Sequence, residues 1–247
     1  MIECIVPAWP APARVRAVVT TRGGGVSRPP WDSLNLADHV GDDPADVAEN
    51  RRRLRAHLAL PAEPTWLQQV HGCDVVDADG GAIRCPADAA VAEHAGTVCA
   101  VLTADCLPVL FCDCAATVVG VAHAGWRGLA AGVLERTIVR LGRPAHDLLV
   151  WLGPAIGPGA FEVGDDVRSA FVGHDREAVG CFRPGAGGRW LADLYGLARL
   201  RLRSAGVHAV HGGGVCTFSD ATRFYSYRRD GATGRMASLL WLEPAPG

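Results

Sequence analysis

Three consecutive apolar runs between residues 98 and 122 constrain the fold of this chain more than any other feature of its sequence. They cover residues 98–103, 108–112 and 117–122, and each has the length of a buried β-strand. If the three strands run up, down and up, the loop that holds Cys106 and the end of the third strand lie at the same sheet edge. The residue that follows the third run is His123. The pattern therefore predicts that Cys106 and His123 lie close together.

Helical and strand patterns both occur in the rest of the chain, without a strict alternation. A helix start is marked by Asp43 and Pro44, an acidic cap followed by a proline at the first helical position, and this helix is predicted to run through Leu58. The other predictions are strands at 16–21, 65–70, 148–152, 207–211 and 238–242, and helices at 128–141, 164–172 and 193–204. This order predicts an α+β fold, in which a single layered α/β domain with mixed β-sheets spans residues 1–247.

The bulk composition argues against several classes of protein. All 24 basic residues are arginine, so no lysine is present to form a Schiff base or to serve in a P-loop. The formal net charge of −2 gives no electrostatic reason to expect nucleic acid or an anionic membrane as a partner. The first residues lack a signal-peptide pattern, no apolar run reaches the roughly 18 residues of a membrane span, and the nine cysteines have no repeating spacing. We therefore expect a cytoplasmic protein with free thiols.

Metal-capable side chains stand next to apolar strands at three places, namely His71, Cys106 and His123. One thiolate and two imidazoles suit tetrahedral Zn²⁺, and three protein ligands leave a fourth position for water or substrate, as in catalytic zinc sites. Two other interpretations of the same residues remain open. Cys106 and His123 could form a metal-free nucleophile and base pair, or the three residues could be a buried structural cysteine and two capping histidines.

A series of longer motifs carries a resemblance over nearly the whole chain. The motifs are TTRGGGVS at 20–27, SLNL at 33–36, HVGDD at 39–43, QVHG at 69–72, TADCLP at 103–108, HAGWRG at 123–128, GPAIG at 153–157, CT at 216–217 and FYSYRRD at 224–230. In this order they resemble the YfiH family, which is also described as a laccase-domain polyphenol oxidase, a purine nucleoside phosphorylase and a peptidoglycan editing factor.

The resemblance implies a fold, a metal and an activity. The fold is a single α/β domain with mixed sheets, and zinc is held by His71, Cys106 and His123. The implied activity is phosphorolysis of adenosine, inosine, guanosine and methylthioadenosine, with adenosine deamination in the same pocket. The partners are then purine nucleosides and phosphate, and the chain is a monomer or a homodimer.

Two alternative functions belong to the same resemblance. Copper (Cu²⁺) polyphenol oxidation is the source of the older family name, but multicopper oxidases need histidines in H-x-H pairs and none of the nine histidines forms one. A metal-free hydrolase or amidase that edits cell-wall precursors would use Cys106 as nucleophile and His123 as base. The signature of cytidine-type zinc deaminases is absent, so deamination here would use an unrelated site.

Three arginines in the shared motifs are candidates for binding phosphate. They are Arg22, Arg127 and Arg228, since the guanidinium fork matches phosphate oxygens and keeps its charge. Arg22 is the first choice, because the glycines that follow it would let a ligand approach the backbone. The alternative for each arginine is a structural bond to a carbonyl or carboxylate.

Further polar residues have a structural and a functional interpretation. Asn35 either binds a ribose or base edge or caps a turn. Asp105 is predicted to act as general acid or base, or, preferably, to support a ligating imidazole. The acidic residues before the cysteine strand are interpreted as a solvated loop; these are Asp77, Asp79, Asp88 and Glu93.

Overall fold

Strands and helices alternate irregularly along residues 1–80 and 86–245, the ranges that the computed structural model describes. The strands are β1 (Cys4–Ile5), β2 (Val15–Thr20), β3 (Thr65–Trp66), β4 (Val75–Asp77), β5 (Ala89–Ala92), β6 (Cys99–Thr103), β7 (Leu107–Asp113), β8 (Val119–Ala124), β9 (Leu148–Leu152), β10 (Glu162–Val163), β11 (Phe182–Pro184), β12 (Trp190–Ala192), β13 (Ala209–Gly212) and β14 (Met236–Leu242). The α-helices are α1 (Pro44–Leu58), α2 (Trp126–Ala131), α3 (Val133–Leu141), α4 (Asp165–Val172), α5 (Leu194–Ser204) and α6 (Tyr227–Asp230).

The strands form two large sheets and one small sheet. The five-stranded sheet has the order β1-β2-β14-β6-β3, with β3 and β6 parallel and the other pairs antiparallel. The six-stranded sheet has the order β13-β9-β7-β8-β5-β4; its central pairs are antiparallel and its two edge pairs are parallel. The small sheet is antiparallel, in the order β10-β12-β11. The predicted fold class, a layered α/β arrangement with mixed sheets, is confirmed.

The two large sheets pack face to face and share one apolar core. Alternate residues of each central strand point to opposite sides of its sheet, so a strand that is apolar throughout supplies two cores. In β8, for example, Val121 lies between the two sheets, whereas Ala122 faces helices α2, α3 and α5. The outer face of the five-stranded sheet is covered by α1, whose Leu54 joins the third core. The layers thus follow the order helix, sheet, sheet, helices.

Most of the predicted elements are present with small shifts at their ends. The cap of α1 is as expected, since the Asp43 side chain accepts a hydrogen bond from the backbone N–H of Ala45. The predicted strand at 148–152 is β9, and the predicted helices at 164–172 and 193–204 are α4 and α5. The strands expected at 16–21, 207–211 and 238–242 are β2, β13 and β14.

The predicted up-down-up order of the three apolar runs is wrong for its first member. All three runs form strands, but β6 belongs to the five-stranded sheet, while β7 and β8 pair in the six-stranded sheet. An apolar run buried on both faces does not indicate which sheet it joins. The chain crosses from one sheet to the other through residues 104–106, and the Cys106 loop therefore lies between the sheets at one edge.

Two other predictions differ from the structure in extent. The helix expected at 128–141 is two helices, because Gly132 adopts the left-handed conformation (φ 97°) that ends α2. The strand expected at 65–70 stops at Trp66. Beyond it, the Gln69 side-chain amide replaces backbone pairing, donating to the Leu102 carbonyl at 2.8 Å and accepting from the Leu102 N–H at 2.7 Å.

No membrane-spanning helix occurs in the described ranges, where every helix is too short or too polar for that role.

Candidate active site

The pairing of β7 with β8 places two of the predicted ligands side by side. Pro108 lies opposite His123 in this antiparallel ladder, and Cys106 sits just before the start of β7. The loop after β3 brings His71 to the same place, with its Nε2 3.8 Å from the Cys106 Sγ. One ligand atom from each of His71, Cys106 and His123 lies within 4.8 Å of the other two. The structure therefore brings together the three residues that the sequence predicted as ligands.

Two glycines of the HAGWRG segment allow this close approach. A Cβ at Gly125 would lie 2.9 Å from both the Cys106 Sγ and the His71 Cδ2. A Cβ at Gly128 would lie 2.6 Å from the Gly72 carbonyl oxygen, so the start of α2 packs directly on the His71 loop. Both separations are shorter than real Cβ contacts. Any larger residue at these positions would push the three candidate ligands apart.

A buried carboxylate orients the His123 ring. The Nδ1 of His123 is 2.8 Å from Oδ1 of Asp88, and the side chains of both residues are almost fully buried. With Nδ1 bound to the carboxylate, Nε2 is the nitrogen that faces Cys106. This is the arrangement in which metal-ligating histidines are commonly held, with the second ring nitrogen donated to a carboxylate.

The imidazoles change the protonation of Cys106. Burial alone would raise the pKa of the thiol, but His123 and His71 outweigh burial and lower the pKa to about 6. In the opposite direction, burial would lower the pKa of His123, and the Cys106 thiolate and Asp88 together raise it. Cys106 is therefore a thiolate at neutral pH, which is the form that binds metals and attacks carbonyl groups.

Two of the candidate ligands, His71 and Cys106, line a cleft of about 210 Å³ with aromatic and cationic walls. Trp126, Phe161 and Tyr227 line it, and an arginine guanidinium lies over each ring. The three guanidinium carbons, of Arg127, Arg228 and Arg235, are 4.4, 5.5 and 5.8 Å from the respective ring centroids. Such walls suit a flat, aromatic ligand together with an anion.

Comparison with known proteins gives the family. Residues 16–243 match the family model described as multi-copper polyphenol oxidoreductase laccase. The chain is 61% identical to the purine nucleoside phosphorylase PA4543 of Pseudomonas aeruginosa, over 97% of this chain and 98% of that protein. It is 54% identical to the purine nucleoside phosphorylase YfiH of Escherichia coli K12, over 98% of this chain and the whole of that protein. The chain belongs to the YfiH family.

A solved structure of the same family has the same fold. The Neisseria meningitidis protein NMB0706 superposes with a TM-score of 0.94 at 50% identity, over 98% of this chain and 99% of the other. The YfiH-family fold and the resemblance described from the sequence motifs are thus confirmed.

Two of the four predicted substrate residues line the cleft. Arg127 is exposed, and within the described ranges its guanidinium forms no hydrogen bond or ion pair with the protein. Arg228 is also exposed, and one of its Nη atoms donates to the Glu162 carbonyl at 2.7 Å. Both arginines can therefore turn most of their N–H groups to an anion in the cleft.

The other two predicted substrate residues, Arg22 and Asn35, are not part of the cleft lining and make contacts within the fold, and their substrate role stays a prediction. Arg22 does not line the cleft: its guanidinium donates to the carbonyls of Asp32 and Ala221 and stacks on Tyr225, 4.9 Å from the ring centroid. Asn35 is fully buried; its amide nitrogen donates to the Ala37 carbonyl and the Asp42 carboxylate, and its oxygen accepts from the N–H groups of Ala37 and Arg235. The turn-cap interpretation of Asn35 agrees with these contacts.

The preferred role of Asp105, support of a ligating imidazole, requires a hydrogen bond to the ring of His71 or His123. Among the described residues, the Asp105 carboxylate bonds to neither ring. Its carboxylate accepts hydrogen bonds from the Thr217 and Ser226 hydroxyls and from the backbone N–H of Arg228, at 2.6, 3.0 and 2.7 Å. The imidazole of His123 is supported by Asp88 instead. Asp105 borders the cleft and ties the loop of Cys106 to the segment of Arg228.

Asp88 is the main functional residue that the sequence analysis missed. It was interpreted as part of a solvated acidic loop, but its side chain is fully buried at the start of β5. The strand itself went unnoticed because Ala89–Ala92 is short and mostly alanine. The available signal is a polar residue next to a short apolar run, the same signal that indicates His71 and Cys106.

Proposed function

We propose that this YfiH-family protein is a zinc-dependent purine nucleoside phosphorylase. Its substrates would be adenosine, inosine, guanosine or methylthioadenosine together with phosphate, and it would deaminate adenosine in the same cleft. The observation that carries the proposal is the cluster of His71, Cys106 and His123 beside an aromatic cleft with exposed arginines. The names of the two bacterial relatives support the same activity.

The donor set favours zinc as the metal. In a tetrahedral zinc site, ordinary Zn–S and Zn–N bond lengths place a sulfur and a nitrogen ligand roughly 3.5 Å apart. The 3.8 Å between the His71 Nε2 and the Cys106 Sγ is close to that separation. Three protein ligands, two of which line an open cleft, leave the fourth position to a water or substrate atom.

In phosphorolysis a phosphate oxygen bonds to C1′ of the sugar as the bond from C1′ to N9 of the purine breaks, and the purine takes up a proton. Arg127 and Arg228 would hold the phosphate dianion, and Phe161 and Tyr227 would stack on the base or sugar. A bound metal would polarise a substrate oxygen in phosphorolysis, or lower the pKa of a water for attack at C6 of adenosine, where the C6–N bond then breaks and ammonia leaves.

A cysteine hydrolase is the second candidate, and a specific contact favours it. Cys106, His123 and Asp88 have the order of nucleophile, base and orienting carboxylate that hydrolases use. This alternative, an amidase that edits cell-wall precursors, leaves His71 unexplained, because a triad needs one imidazole and two lie beside the sulfur. Zinc binding accounts for both imidazoles, and for this reason we favour it.

The residues that line the cleft support a copper oxidase less than a zinc-dependent enzyme. Blue-copper sites combine two histidines and a cysteine with a weak axial ligand that is commonly methionine. In the described part of the chain, Met236 is buried against Phe224 and accepts a hydrogen bond from the Tyr225 N–H. It does not line the cleft.

We also propose that residues 1–247 act as one catalytic domain in the cytoplasm, as a monomer or homodimer, without nucleic acid or membrane partners. The shared core between the two large sheets supports a single folding unit. All eight cysteines of the described ranges are free, which suits a reducing compartment; Cys85 lies outside those ranges.

One assay tests the proposed function. Purified protein is incubated with adenosine with and without phosphate, the products are separated by chromatography, and zinc and copper are quantified in the same sample. We expect adenine and ribose 1-phosphate only when phosphate is present, inosine from deamination, and about one zinc per chain as a three-ligand site implies. Metal-free protein that hydrolyses a peptide or amide would favour the cysteine hydrolase instead.

Loss of the cleft arginines should weaken phosphate binding selectively. We expect Arg127→Ala combined with Arg228→Ala to raise the KM for phosphate by roughly a hundredfold or more, since two charge-assisted hydrogen bonds at about 1.5–3 kcal/mol each are lost together. The KM for the nucleoside should change much less. Steady-state kinetics with each substrate varied in turn measures both values, and Arg136→Ala, which removes an exposed arginine paired with Asp74, is the control. Equal changes in both KM values would contradict the assignment.

A further inference from the structure

The Asp88 carboxylate contacts both histidines of the cluster through the same oxygen. Its Oδ1 accepts a hydrogen bond from the backbone N–H of His71 at 2.9 Å and lies 2.8 Å from the ring Nδ1 of His123. The other oxygen, Oδ2, accepts from the N–H groups of Val70 and Gly72 at 3.1 and 2.7 Å. Four donors on two elements therefore converge on one carboxylate that has no exposed surface.

The hydrogen bonds from the N–H groups of residues 70–72 to Asp88 go together with an uncommon backbone conformation at His71. His71 has a φ of 60°, a left-handed conformation that non-glycine residues adopt infrequently. Three consecutive N–H groups can point to one anion only if the chain curls around it, as in the anion-binding nests of proteins. The carboxylate thus stabilises the turn that presents the His71 ring to Cys106.

A charged carboxylate is also unusual at a fully buried position such as that of Asp88. Among the described residues, its only side-chain partner is His123, and no arginine contacts it. A fully buried anion is costly unless opposite charge lies near it. When His123 is a neutral ligand, a divalent metal bound by the Cys106 thiolate would supply this charge, because one dication balances the thiolate and the carboxylate together.

We propose that Asp88 is a positioning residue that holds both histidine ligands of the metal. It sets the His71 backbone through the 70–72 turn and sets the His123 ring through Nδ1. The proposal rests on the proposed metal site, and it adds that two of the three ligands depend on a single carboxylate. Asp88 itself does not contact substrate or metal.

The test is the metal affinity of Asp88→Asn, measured by competition with a chromophoric zinc chelator. We expect zinc binding about tenfold to a hundredfold weaker than in the unchanged protein, the range found for carboxylates behind ligating histidines. The matched control is Asp113→Asn. Asp113 is also buried and accepts hydrogen bonds from the N–H groups of Thr117 and Val118 and the Thr117 hydroxyl, at the other end of β7. Its substitution should leave zinc affinity within about twofold.

A double-mutant comparison shows whether Asp88 acts on both ligands. If it holds His71 as well as His123, then Asp88→Asn should weaken zinc binding less in a His71→Ala background than in the unchanged protein, because one of its two targets is already absent. Two ligands bind zinc only weakly, so both His71→Ala proteins are titrated with zinc directly at high concentration rather than by chelator competition. An equal effect in both backgrounds would mean that Asp88 acts through His123 alone and would overturn the two-ligand proposal.

The outcomes separate this proposal from the proposed function. If the unchanged protein binds no zinc, the metal-dependent function fails and this proposal fails with it. If the unchanged protein binds zinc and folded Asp88→Asn binds it equally well, only the role of Asp88 is overturned. Should Asp88→Asn not fold, nitrogen NMR shifts of the unchanged zinc-loaded protein decide: we expect His123 protonated at Nδ1 and ligated through Nε2, and the reverse assignment overturns the proposal.

Discussion

Cys106→Ala is expected to remove the metal and the activity together. Loss of the thiolate leaves two imidazoles, His71 and His123, which are too few ligands for tight zinc binding. The metal supplies several kcal/mol of transition-state stabilisation, so we expect kcat/KM to fall by roughly a thousandfold or more. Zinc content by elemental analysis and phosphorolysis by chromatography are measured on the same preparation, which shows whether the two losses coincide.

The control for this experiment is Cys114→Ala. Cys106 precedes β7 and Cys114 follows it, so the two free cysteines flank the same strand at opposite ends, and only Cys106 lies near the histidines. Cys114→Ala should keep both zinc and activity. If Cys106→Ala instead retained about one zinc per chain and lost activity, the thiolate would be a nucleophile and the hydrolase alternative would gain support.

Gly125→Ala should disrupt the metal site without removing any ligand. The added Cβ would lie 2.9 Å from the Cys106 Sγ and from the His71 Cδ2, so both side chains must move by several tenths of an ångström. Zinc–ligand distances tolerate shifts of about 0.2 Å. We expect zinc affinity to fall on the order of a hundredfold, the upper range for changes next to ligands. The same overpacking should cost about 1–3 kcal/mol of unfolding free energy.

Chelator competition and denaturant unfolding of the metal-free protein measure these two effects of Gly125→Ala. The matched control variant is Gly159→Ala, because an added Cβ at Gly159 would meet no atom within 4 Å. It should change neither zinc affinity nor stability by a measurable amount. Zinc binding of Gly125→Ala at the unchanged affinity would show that the ligands do not need the close approach seen here.

The part of the site that the sequence predicted is the part carried by side-chain chemistry. Residue chemistry alone left His71, Cys106 and His123 with three interpretations, and the motif resemblance to the YfiH family is what implied that they are metal ligands. The same reasoning predicted Arg127 and Arg228 in the HAGWRG and FYSYRRD segments, and both line the cleft. Arg22 lies outside the cleft lining and its guanidinium binds backbone carbonyls, because the type of a residue does not reveal which partner its side chain meets.

Asp88 shows why the remaining parts of the site were not predictable. In the sequence it is one of several acidic residues between Asp77 and Glu93, and a solvated loop is the ordinary interpretation of such a stretch. Its role depends on the pairing of β5 with β8, which places the start of β5 beside His123. Strand pairing across about thirty residues leaves no local pattern, since hydrogen bonds of the ladder involve only backbone atoms.

The sequence by itself determined the element types, the family and the three candidate ligands. Periodicity indicates whether a segment is a helix or a strand, because burial of one face requires apolar residues at that repeat. Only the tertiary structure decided which sheet β6 joins, where the helix predicted at 128–141 breaks, and which carboxylate supports the histidines. These features depend on contacts between residues that are far apart in the sequence. The free energy of such contacts comes from tertiary packing, which a single segment cannot provide.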